Sequence, residues 1–351
     1  MKKLEELAVT TTTVASLLPK VIQKKVEEAR REKLFMLQLF RENRSLVGKP
    51  GKSIYIPKVS GAFSWAIVSE GGDIESALSA QTRTFSSVQI IPVKMGTWTQ
   101  ITNEAILTAQ VDVVDMLVDR ATFDLADALD TYLYQTIVGT TSTTENIAGA
   151  GTSTYSLSHG KILKVNSVKV GGVATSGYKI DYYDGKVKLA STTSSTVTVD
   201  YIYSSRTYVY DASTTAKLTY SDFITAKIGI EQNKFTPNVA IVTPSLTSYI
   251  LKDSRFIDKT KYGKEVMLNG EIGKIAGLKI ISSHNAYDVL VVLDAPTFGM
   301  VVWKVPLEVL TKKEEKTYSV KVYFYQIVGA GVIFDEAIAI VTNTQSNAQD
   351  I

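Results

Sequence analysis

Apolar and polar positions along the chain separate into helical and extended stretches. Apolar residues recur at three- and four-residue spacings over residues 14–42 and again from Val111 to Val138, which predicts two long helices. Gly139 predicts the end of the second helix, which at 1.5 Å per residue would be about 40 Å long. Its polar surface carries Asp112, Asp115, Asp119, Asp124, Asp127 and Asp130. Carboxylates along one helix do not converge as a hydrolytic pair must, so a solvated or subunit-facing surface is predicted.

The segment between the two helices predicts a projecting loop on a base of strands. IYIPKV alternates, with Ile54 and Ile56 on one face and Tyr55 on the other, and QIIPVKMGTWTQIT predicts a returning strand. Residues 60–88 fit neither a helix nor a strand, and a Gly-Gly pair with many Ser and Thr favours a long loop. Its aromatic content argues against disorder, so we expect an interaction arm. The side chains that would need an external partner are Phe63, Trp65 and Phe85.

Period-two alternation dominates residues 161–210 and predicts a small all-β unit. Asp184-Gly185 between two alternating runs predicts a two-residue hairpin turn. A Thr/Gly-rich linker is expected at 140–150, and helical sequence resumes at Ser221, so the β unit is interpreted as an insertion into a larger domain. The many tyrosines of the unit could form a carbohydrate- or single-strand-binding face, but tyrosine is also an ordinary strand residue, which favours a structural use.

The rest of the chain predicts a mixture of helices and strands. Ser221 and Asp222 open a helix, VAIVT reads as a buried strand, and Pro244 begins another helix. VLVVLD, MVVWK and YSVKVYFYQIVGAGVIFDEAIAIV predict closing strands, and TNTQSNAQDI predicts a polar tail. The expected fold class is α+β.

Composition excludes several classes of function. A count of 38 Lys and Arg against 35 Asp and Glu leaves a net charge of +3, too little to indicate a dedicated nucleic-acid binder. The chain has no cysteine, which excludes disulfides, thiolate metal sites and thiol nucleophiles. With only His159 and His284 and no converging acids, we expect no catalytic, cofactor or metal site. No membrane span or signal peptide is predicted, so we expect a protein kept or assembled in the cytosol.

Two local features invite sharper interpretations. Gly51-Lys52-Ser53 suggests a phosphate-binding loop, but Leu46 stands where that motif needs glycine and Pro50 stiffens the loop, so we reject it. Residues 1–50 carry eleven Lys and Arg against six Glu. This segment is either the solvated face of an amphipathic helix or an arm that lies along a neighbouring subunit or faces an enclosed polyanion.

In the order of its elements the chain resembles the major capsid proteins of tailed double-stranded DNA phages, whose fold encapsulins share. The resemblance rests on an N-terminal arm, the long loop between IYIPKV and IIPVKMGTWTQIT, the ITNEAI helix before the long helix, FITAKIGIE, VAIVTPSLTSYI, NGEIGKIAGLKI and the strands ending VIFDEAIAIV. It covers most of residues 14–342 apart from the β insertion.

This resemblance implies a domain organisation and a set of contact residues. The implied domains are an N-terminal arm at 1–50, an extended loop with its base strands at 51–95, a peripheral domain with the long "spine" helix at 96–140, an inserted all-β domain at 150–212, an axial domain at 220–300, and closing strands of the peripheral domain with a polar tail at 301–351. The implied inter-subunit contacts of the loop are Phe63, Trp65, Phe85 and Arg83. The arm residues implied to face inward are Lys24, Lys25, Arg30 and Arg31, and the acidic spine face bordering contacts comprises Asp112, Asp115 and Asp119.

The implied function is self-assembly into an icosahedral shell of pentamers and hexamers around double-stranded DNA, bound without sequence specificity. Scaffolding, portal and decoration proteins are implied as further partners, no membrane is involved, and the location is the virion capsid, assembled in host cytoplasm. Some relatives crosslink a loop lysine to a neighbouring asparagine, but residues 59–93 contain no lysine, so we expect a shell without that bond.

Two alternatives stay open at this point. An encapsulin-like compartment would enclose cargo enzymes in place of a genome; the β insertion argues mildly against it, because added decorating domains suit capsids. A carbohydrate-binding surface protein built on the tyrosine-rich unit would need a signal sequence, which is not predicted.

Overall fold

A computed structural model describes residues 35–60, 67–70, 73, 84–102, 113–252, 274–314, 317–349 and 351. Most of the predicted N-terminal helix and the predicted ITNEAI helix therefore lie outside the described residues. Where the first helix was expected to continue, the chain forms a single 3-10 turn, Leu37–Leu39, and then a strand. The predicted helix is thus wrong over residues 35–42: residues 35–40 form turns, and from Arg41 the chain pairs parallel with β17.

The described part contains nineteen strands and three α-helices. The helices are α1 (Val113–Val138), α2 (Tyr220–Glu231) and α3 (Pro244–Lys252). The first strands are β1 (Arg41–Asn43), β2 (Ile54–Ser60), β3 (Thr84–Ile90), β4 (Val93–Thr102), β5 (Thr140–Ile147), β6 (Thr152–Ser156), β7 (Ile162–Val170), β8 (Val173–Ala174), β9 (Tyr178–Asp181) and β10 (Lys186–Thr193). The others are β11 (Val197–Ser204), β12 (Val209–Asp211), β13 (Val239–Val242), β14 (Lys274–Ile275), β15 (Leu278–Ser282), β16 (Leu290–Leu293), β17 (Gly299–Glu314), β18 (Ser319–Val332) and β19 (Ile338–Thr342).

Helix α1 packs on a four-stranded sheet of order β1-β17-β18-β4. Leu125 of the helix contacts a cluster formed by alternate residues of the long strands, including Val309 and Phe324. Further along α1, Leu129 and Leu133 are fully buried in the main core. The predicted helix and its end at Gly139 are confirmed: Gly139 has φ +63°, a conformation that L side chains rarely adopt.

A six-stranded sheet of order β12-β19-β16-β13-β15-β14 forms the centre of the molecule. Alternate residues of β13 belong to different cores: Ile241 faces the core that contains α1, and Ala240 faces the core that contains α2 and α3. Both faces are covered, so β13, β16 and β19 are apolar at nearly every position. Strand β19 was expected among the closing strands of the peripheral domain, but it pairs with β16 and β12 in this sheet instead.

The predicted all-β insertion consists of two sheets, β6-β10-β9 and β5-β11-β7-β8, around their own apolar core. The linker predicted at 140–150 is wrong over its first part, because β5 pairs along its whole length with β11. Threonines are β-branched and suit this edge position. A hairpin forms at Asp184-Gly185 as predicted, but its turn has four residues and not two, because residues 182–185 connect the paired ends Asp181 and Lys186. Asp181 Oδ1 stabilises this turn by accepting hydrogen bonds from the backbone nitrogens of Tyr183 and Asp184.

Helix starts follow the predicted signals. The start predicted at Ser221 and Asp222 is nearly right: α2 begins at Tyr220, its N-terminal cap is Thr219 and not Ser221, and Asp222 forms a capping box with Thr219. Pro244 is the first residue of α3, as predicted. Among the described residues, none of the helices combines the length and the apolar character required for a membrane crossing.

Candidate inter-subunit surfaces

Strands β2 and β3 form the base of the predicted extended loop. They pair antiparallel from Ile54–Ile90 to Ser60–Thr84, so the chain leaves and re-enters this hairpin at adjacent positions. Ile54 and Ile56 pack on a buried cluster of the body. On the opposite face, Tyr55 is 62% exposed and Phe85 is 75% exposed. The hairpin therefore has one face covered by its own subunit and an aromatic outer face that is uncovered in the single chain.

The hairpin base is attached to the rest of the subunit by polar contacts as well as by packing. Lys58 Nζ lies 3.1 Å from Glu336 Oε2 and 5.1 Å from the centroid of the Phe334 ring. Lys304 Nζ donates a hydrogen bond to the carbonyl of Gly51 at 2.6 Å. Both contacts tie the hairpin to residues of the body that are more than 250 positions away in sequence. They therefore fix the orientation of the outer face relative to the body.

A second uncovered apolar surface crosses the sheet that packs on α1. Trp98, Tyr323 and Leu310 are directly paired on β4, β18 and β17, so their side chains form one row on one face. The Trp98 and Tyr323 rings stack with centroids 6.2 Å apart, and Trp98 and Leu310 are 57% and 53% exposed. On β17 and β18 the neighbouring residues Val309, Val322 and Phe324 face α1 and are buried. We call this the aromatic row.

Asp130 departs from the predicted solvated surface of the spine helix. It is 4% exposed, and its Oδ1 accepts a hydrogen bond from the backbone nitrogen of Met36 at 3.1 Å. Burial raises the pKa of Asp130 to about 6; hydrogen bonds from the backbone of Met36 and Phe35 lower it by smaller amounts, and the negative charge of Asp127 raises it slightly further. The carboxyl group thus holds the chain where it arrives from the N-terminal segment.

The pKa of Asp130 predicts a pH dependence of stability. Because the folded value, about 6, lies above that of an unfolded aspartate, the folded state binds the proton more tightly, and this contribution to stability grows as pH falls from 7 towards 4. Asp130→Asn keeps an oxygen acceptor for Met36 and should remove about 2 kcal/mol of that pH-dependent difference. The measurement is the urea-unfolding free energy of unassembled wild-type and variant subunits between pH 4.5 and 7.5. Parallel curves for the two proteins would contradict the assignment.

The C-terminal end of α1 meets the inserted unit at Arg206. Its Nε donates to the carbonyl of Ile137 at 2.9 Å, its Nη2 donates to that of Thr136, and its Nη1 lies 3.2 Å from Asp335 Oδ1. One guanidinium therefore satisfies carbonyls at the helix terminus, where the helix dipole favours a cation. The insertion, the spine helix and the turn before β19 are joined at this point.

The predicted polar tail is the largest disagreement between expectation and structure. Asn343 and Thr344 are completely buried, and Gln345 is 6% exposed. The Asn343 side chain accepts from the backbone nitrogen of Tyr182 at 2.6 Å and donates to Asp181 at 3.1 Å and Asp211 at 2.7 Å.

Further along, the backbones of residues 347 and 349 hydrogen-bond to Ile180 on β9. We call residues 343–349 the C-terminal strap. It fastens the inserted unit to the six-stranded sheet, because polar side chains here find partners inside the protein and not in solvent.

The predicted contact residues are only partly within the described chain. Phe85 lies on the outer face of the hairpin, as expected for an uncovered aromatic side chain. Asp115 and Asp119 lie on α1, where only the backbone is described. The others lie outside the described residues: Phe63, Trp65, Arg83, Lys24, Lys25, Arg30, Arg31 and Asp112. Their roles in contacts stay predictions.

Sequence reasoning missed the aromatic row, the hydrogen bond between Asp130 and the backbone of Met36, and the C-terminal strap. Alternation in QIIPVKMGTWTQIT placed Trp98 on a strand, but only the pairing of β4 with β18 and of β18 with β17 brings the three side chains of the aromatic row together.

Within the described ranges, no group of three or more His, Cys, Asp or Glu is arranged to hold a metal ion. The tyrosines of the insertion are largely structural, since Tyr201 and Tyr182 lie in its core and Tyr183 is its one exposed tyrosine among the described residues.

Comparison with solved structures identifies similar folds at low sequence identity. Over 89% of this chain and 92% of that chain, the fold resembles a structure from Mycobacterium phage Che8, with a TM-score of 0.57 and 13% identity. The capsid structure of the cyanophage P-SCSP1u matches 90% of this chain and 88% of its own, with a TM-score of 0.58 and 12% identity. The mature capsid of bacteriophage PhiM1 matches 91% and 88%, with a TM-score of 0.56 and 12% identity.

No curated protein matches the sequence significantly. A family model does: that of the phage capsid family matches residues 15–219, more than half of the chain. This range includes the hairpin, the spine helix and the whole insertion. The chain therefore belongs to the phage capsid family and is a major capsid protein that forms an icosahedral shell.

Proposed function

We propose that the shell encloses double-stranded DNA and is held together without covalent links by two apolar surfaces of each subunit. The observation that carries this proposal is the outer face of the β2–β3 hairpin, where Tyr55 and Phe85 are exposed although the opposite face is anchored in the body. An uncovered aromatic surface on a hairpin that is anchored in the body suits burial against a second copy. The aromatic row around Trp98 supplies a second such surface.

The domain assignment is part of the proposal. The six-stranded sheet with α2 and α3 would form the axial domain around the five- and six-fold axes of pentamers and hexamers. The spine helix with β17, β18 and β4 would form the peripheral domain. The inserted unit would project from the joint at Arg206 as a fixed part of the subunit, since both the joint and the C-terminal strap restrain it.

The contents follow from the family and from charge. A net charge of +3 suits the wall of a container, because packaged DNA brings its own counterions and strong attraction would hinder its movement. The basic residues Lys24, Lys25, Arg30 and Arg31 would face the DNA without reading its sequence. Scaffolding, portal and decoration proteins would join in the host cytoplasm. We propose a structural role without catalysis.

Purified full-length protein is expected to form closed shells, and shells from infected or DNA-packaging cells should contain nuclease-protected double-stranded DNA. Electron microscopy and light scattering test the first expectation, and nuclease treatment followed by extraction tests the second. Only monomers or small rings across salt and pH would contradict shell formation. A stoichiometric enzyme in place of DNA would instead identify an encapsulin-like compartment.

A further inference from the structure

A groove of about 260 Å³ lies between α1 and the loop after β15, at the point where the described chain begins. Phe35 and Phe123 both line this groove, and each ring is roughly half exposed. Two half-exposed aromatic side chains on one groove indicate a contact surface. We call this space the entry groove, and its lining comprises Phe35, Phe123, Ala126, Asp127, Asp130 and residues 282–285.

One face of α1 forms the floor of the entry groove. Phe123, Ala126, Asp127 and Asp130 are three, one and three residues apart, which places them on the same side of the helix. At 1.5 Å per residue this face is about 10 Å long. Asp130 marks its end, and its carboxyl group holds the backbone nitrogen of Met36. The chain that precedes Met36 therefore enters at the Asp130 end of the groove.

The sequence before Phe35 carries a pattern that matches this face. The helix predicted from residue 14 is wrong from residue 35 onward, and its earlier part lies outside the described residues. Within that part, Val26, Ala29 and Lys33 are three and four residues apart, so a helix would carry them on one side. This side is narrow and ends in a cation, so it suits a short groove with acidic residues at one end.

The hydrogen bond between Asp130 and Met36 sets the register of such a helix against α1. Met36 has helical backbone angles, φ −71° and ψ −32°, so a helix can run back from it. Two helices that run side by side in the same direction rise equally per residue. Ala29 and Phe123 each lie seven residues before the two ends of this hydrogen bond, so they would face one another. A small side chain opposite a large ring allows close packing.

The same register brings opposite charges together. Lys33 and Asp127 each lie three residues before the two ends of that hydrogen bond. Asn285 Nδ2 donates to Asp127 Oδ1 at 2.7 Å, and a carboxylate has acceptor sites left for a further donor. Because Asp127 is exposed, this ion pair would select the register and add little affinity.

A segment of the same chain has an advantage over one from a neighbouring subunit. Residues 26–34 are joined directly to Phe35, which already lies at the groove, so only a very short loop has to close. A segment attached this closely acts at an effective concentration of about millimolar or more. A neighbouring subunit or a partner protein would have to displace it.

We propose that residues 26–34 bind in the entry groove of their own subunit as a helix parallel to α1, with Ala29 on Phe123 and Lys33 beside Asp127. Arg31 would then point away from the groove, because it lies on the opposite side of the helix from Ala29. The bound segment thus orients the basic arm that the proposed function directs towards DNA. Only this orientation rests on the proposed function, since the contact forms within one subunit.

The test measures how fast single engineered cysteines react with a maleimide in unassembled full-length subunits, since the chain has no cysteine of its own. Ala29→Cys faces the groove, and Lys24→Cys, on the other side of the predicted helix, is the matched control. Relative to the same variant unfolded in urea, Ala29→Cys should react about tenfold more slowly, as for a segment bound roughly nine-tenths of the time. Lys24→Cys should react at nearly its unfolded rate.

Second substitutions locate the contact. Phe123→Ser should raise the reaction rate of Ala29→Cys by about tenfold, because it removes the ring that covers this position. Lys33→Glu should raise that rate about twofold, and Asp127→Lys should restore the protection in the Lys33→Glu background. Asp124→Lys makes the same charge change on α1 outside the groove and should restore nothing. Circular dichroism checks that each variant is folded.

Three results would overturn the proposal. Equal relative rates for Ala29→Cys and Lys24→Cys in unassembled subunits would mean that the segment does not bind. Protection of Ala29→Cys that appears only in assembled shells would mean that the groove receives a neighbour's segment. Protection that persists undiminished in Phe123→Ser would mean that the segment binds elsewhere. None of these results depends on whether the chain forms shells around DNA.

Discussion

Replacing residues 61–83 with an Asn-Gly turn should yield a subunit that folds but forms no stable shells. Ser60 and Thr84 are directly paired, so a two-residue turn can close the β2–β3 hairpin without disturbing its ladder. The inner face with Ile54 and Ile56 stays packed on the body, which preserves the fold. The segment that is predicted to reach a neighbouring subunit is removed. Circular dichroism and urea unfolding measure the fold, and electron microscopy with light scattering measures the shells.

A matched pair of surface variants separates the loop from its base. Tyr55→Ser with Phe85→Ser leaves the loop length unchanged but removes the outer aromatic face, and it should also reduce shell yield strongly. The control replaces Phe123, which is 48% exposed on α1, with serine and should have a smaller effect. Normal shells from the shortened chain would show that residues 61–83 do not clasp a neighbour.

Asn343→Ala should destabilise the subunit by about 3 kcal/mol and release the inserted unit from the central sheet. The side chain is fully buried and its amide makes three hydrogen bonds, to Tyr182, Asp181 and Asp211. Alanine leaves the buried Tyr182 nitrogen without this acceptor. Asn343 also has φ +62°, which asparagine tolerates better than alanine. Urea unfolding measures the stability, and limited proteolysis at the 205–219 joint reports the release.

Glycine at position 343 separates the effect of the lost hydrogen bonds from the cost of the positive φ. Asn343→Gly loses the hydrogen bonds but accepts the positive φ, so it should be about 1 kcal/mol less harmful than alanine. Asn166→Ala, which removes one 3.4 Å hydrogen bond at an exposed site, should cost less than about 0.5 kcal/mol. A change of similar size for Asn166 and Asn343 would show that the C-terminal strap is not the fastening.

Local patterns predicted the elements whose burial is one-sided or complete. The stripe on α1 and the alternation in β2 are each set by a single neighbouring surface, so spacing alone identifies them. The buried strand β13 was recognised by its uninterrupted apolar run, and Asp222 by its place in the first turn of α2, but the N-terminal cap Thr219 was missed. Predictions failed where polar residues form structure. Residues Thr140–Ile147 were predicted as part of a linker but form strand β5. Backbone pairing with β11 stabilises this strand, which has few apolar side chains that could have indicated it.

The contact surfaces were only partly accessible to sequence reasoning. Phe85 was predicted as an uncovered aromatic residue and is exposed, but Trp98 became part of a surface only when β4 was paired with β18. Asp130 looked like its neighbours Asp124 and Asp127, since helix spacing does not show which carboxylate meets the chain at Met36.

The amino-acid sequence by itself determined the mixture of helices and strands, the separate β insertion, the spine helix and the absence of thiol chemistry, because these depend on residue type and short-range spacing. Tertiary structure alone decided which strands share a sheet, which aspartate is buried and where the polar C-terminal residues bind. Those outcomes depend on contacts between residues separated by more than ninety positions, such as Met36 with Asp130 and Asp181 with Asn343. From sequence alone a polar side chain is predicted to lie in solvent, because the distant group that satisfies its hydrogen bonds inside the protein is not visible in the local pattern.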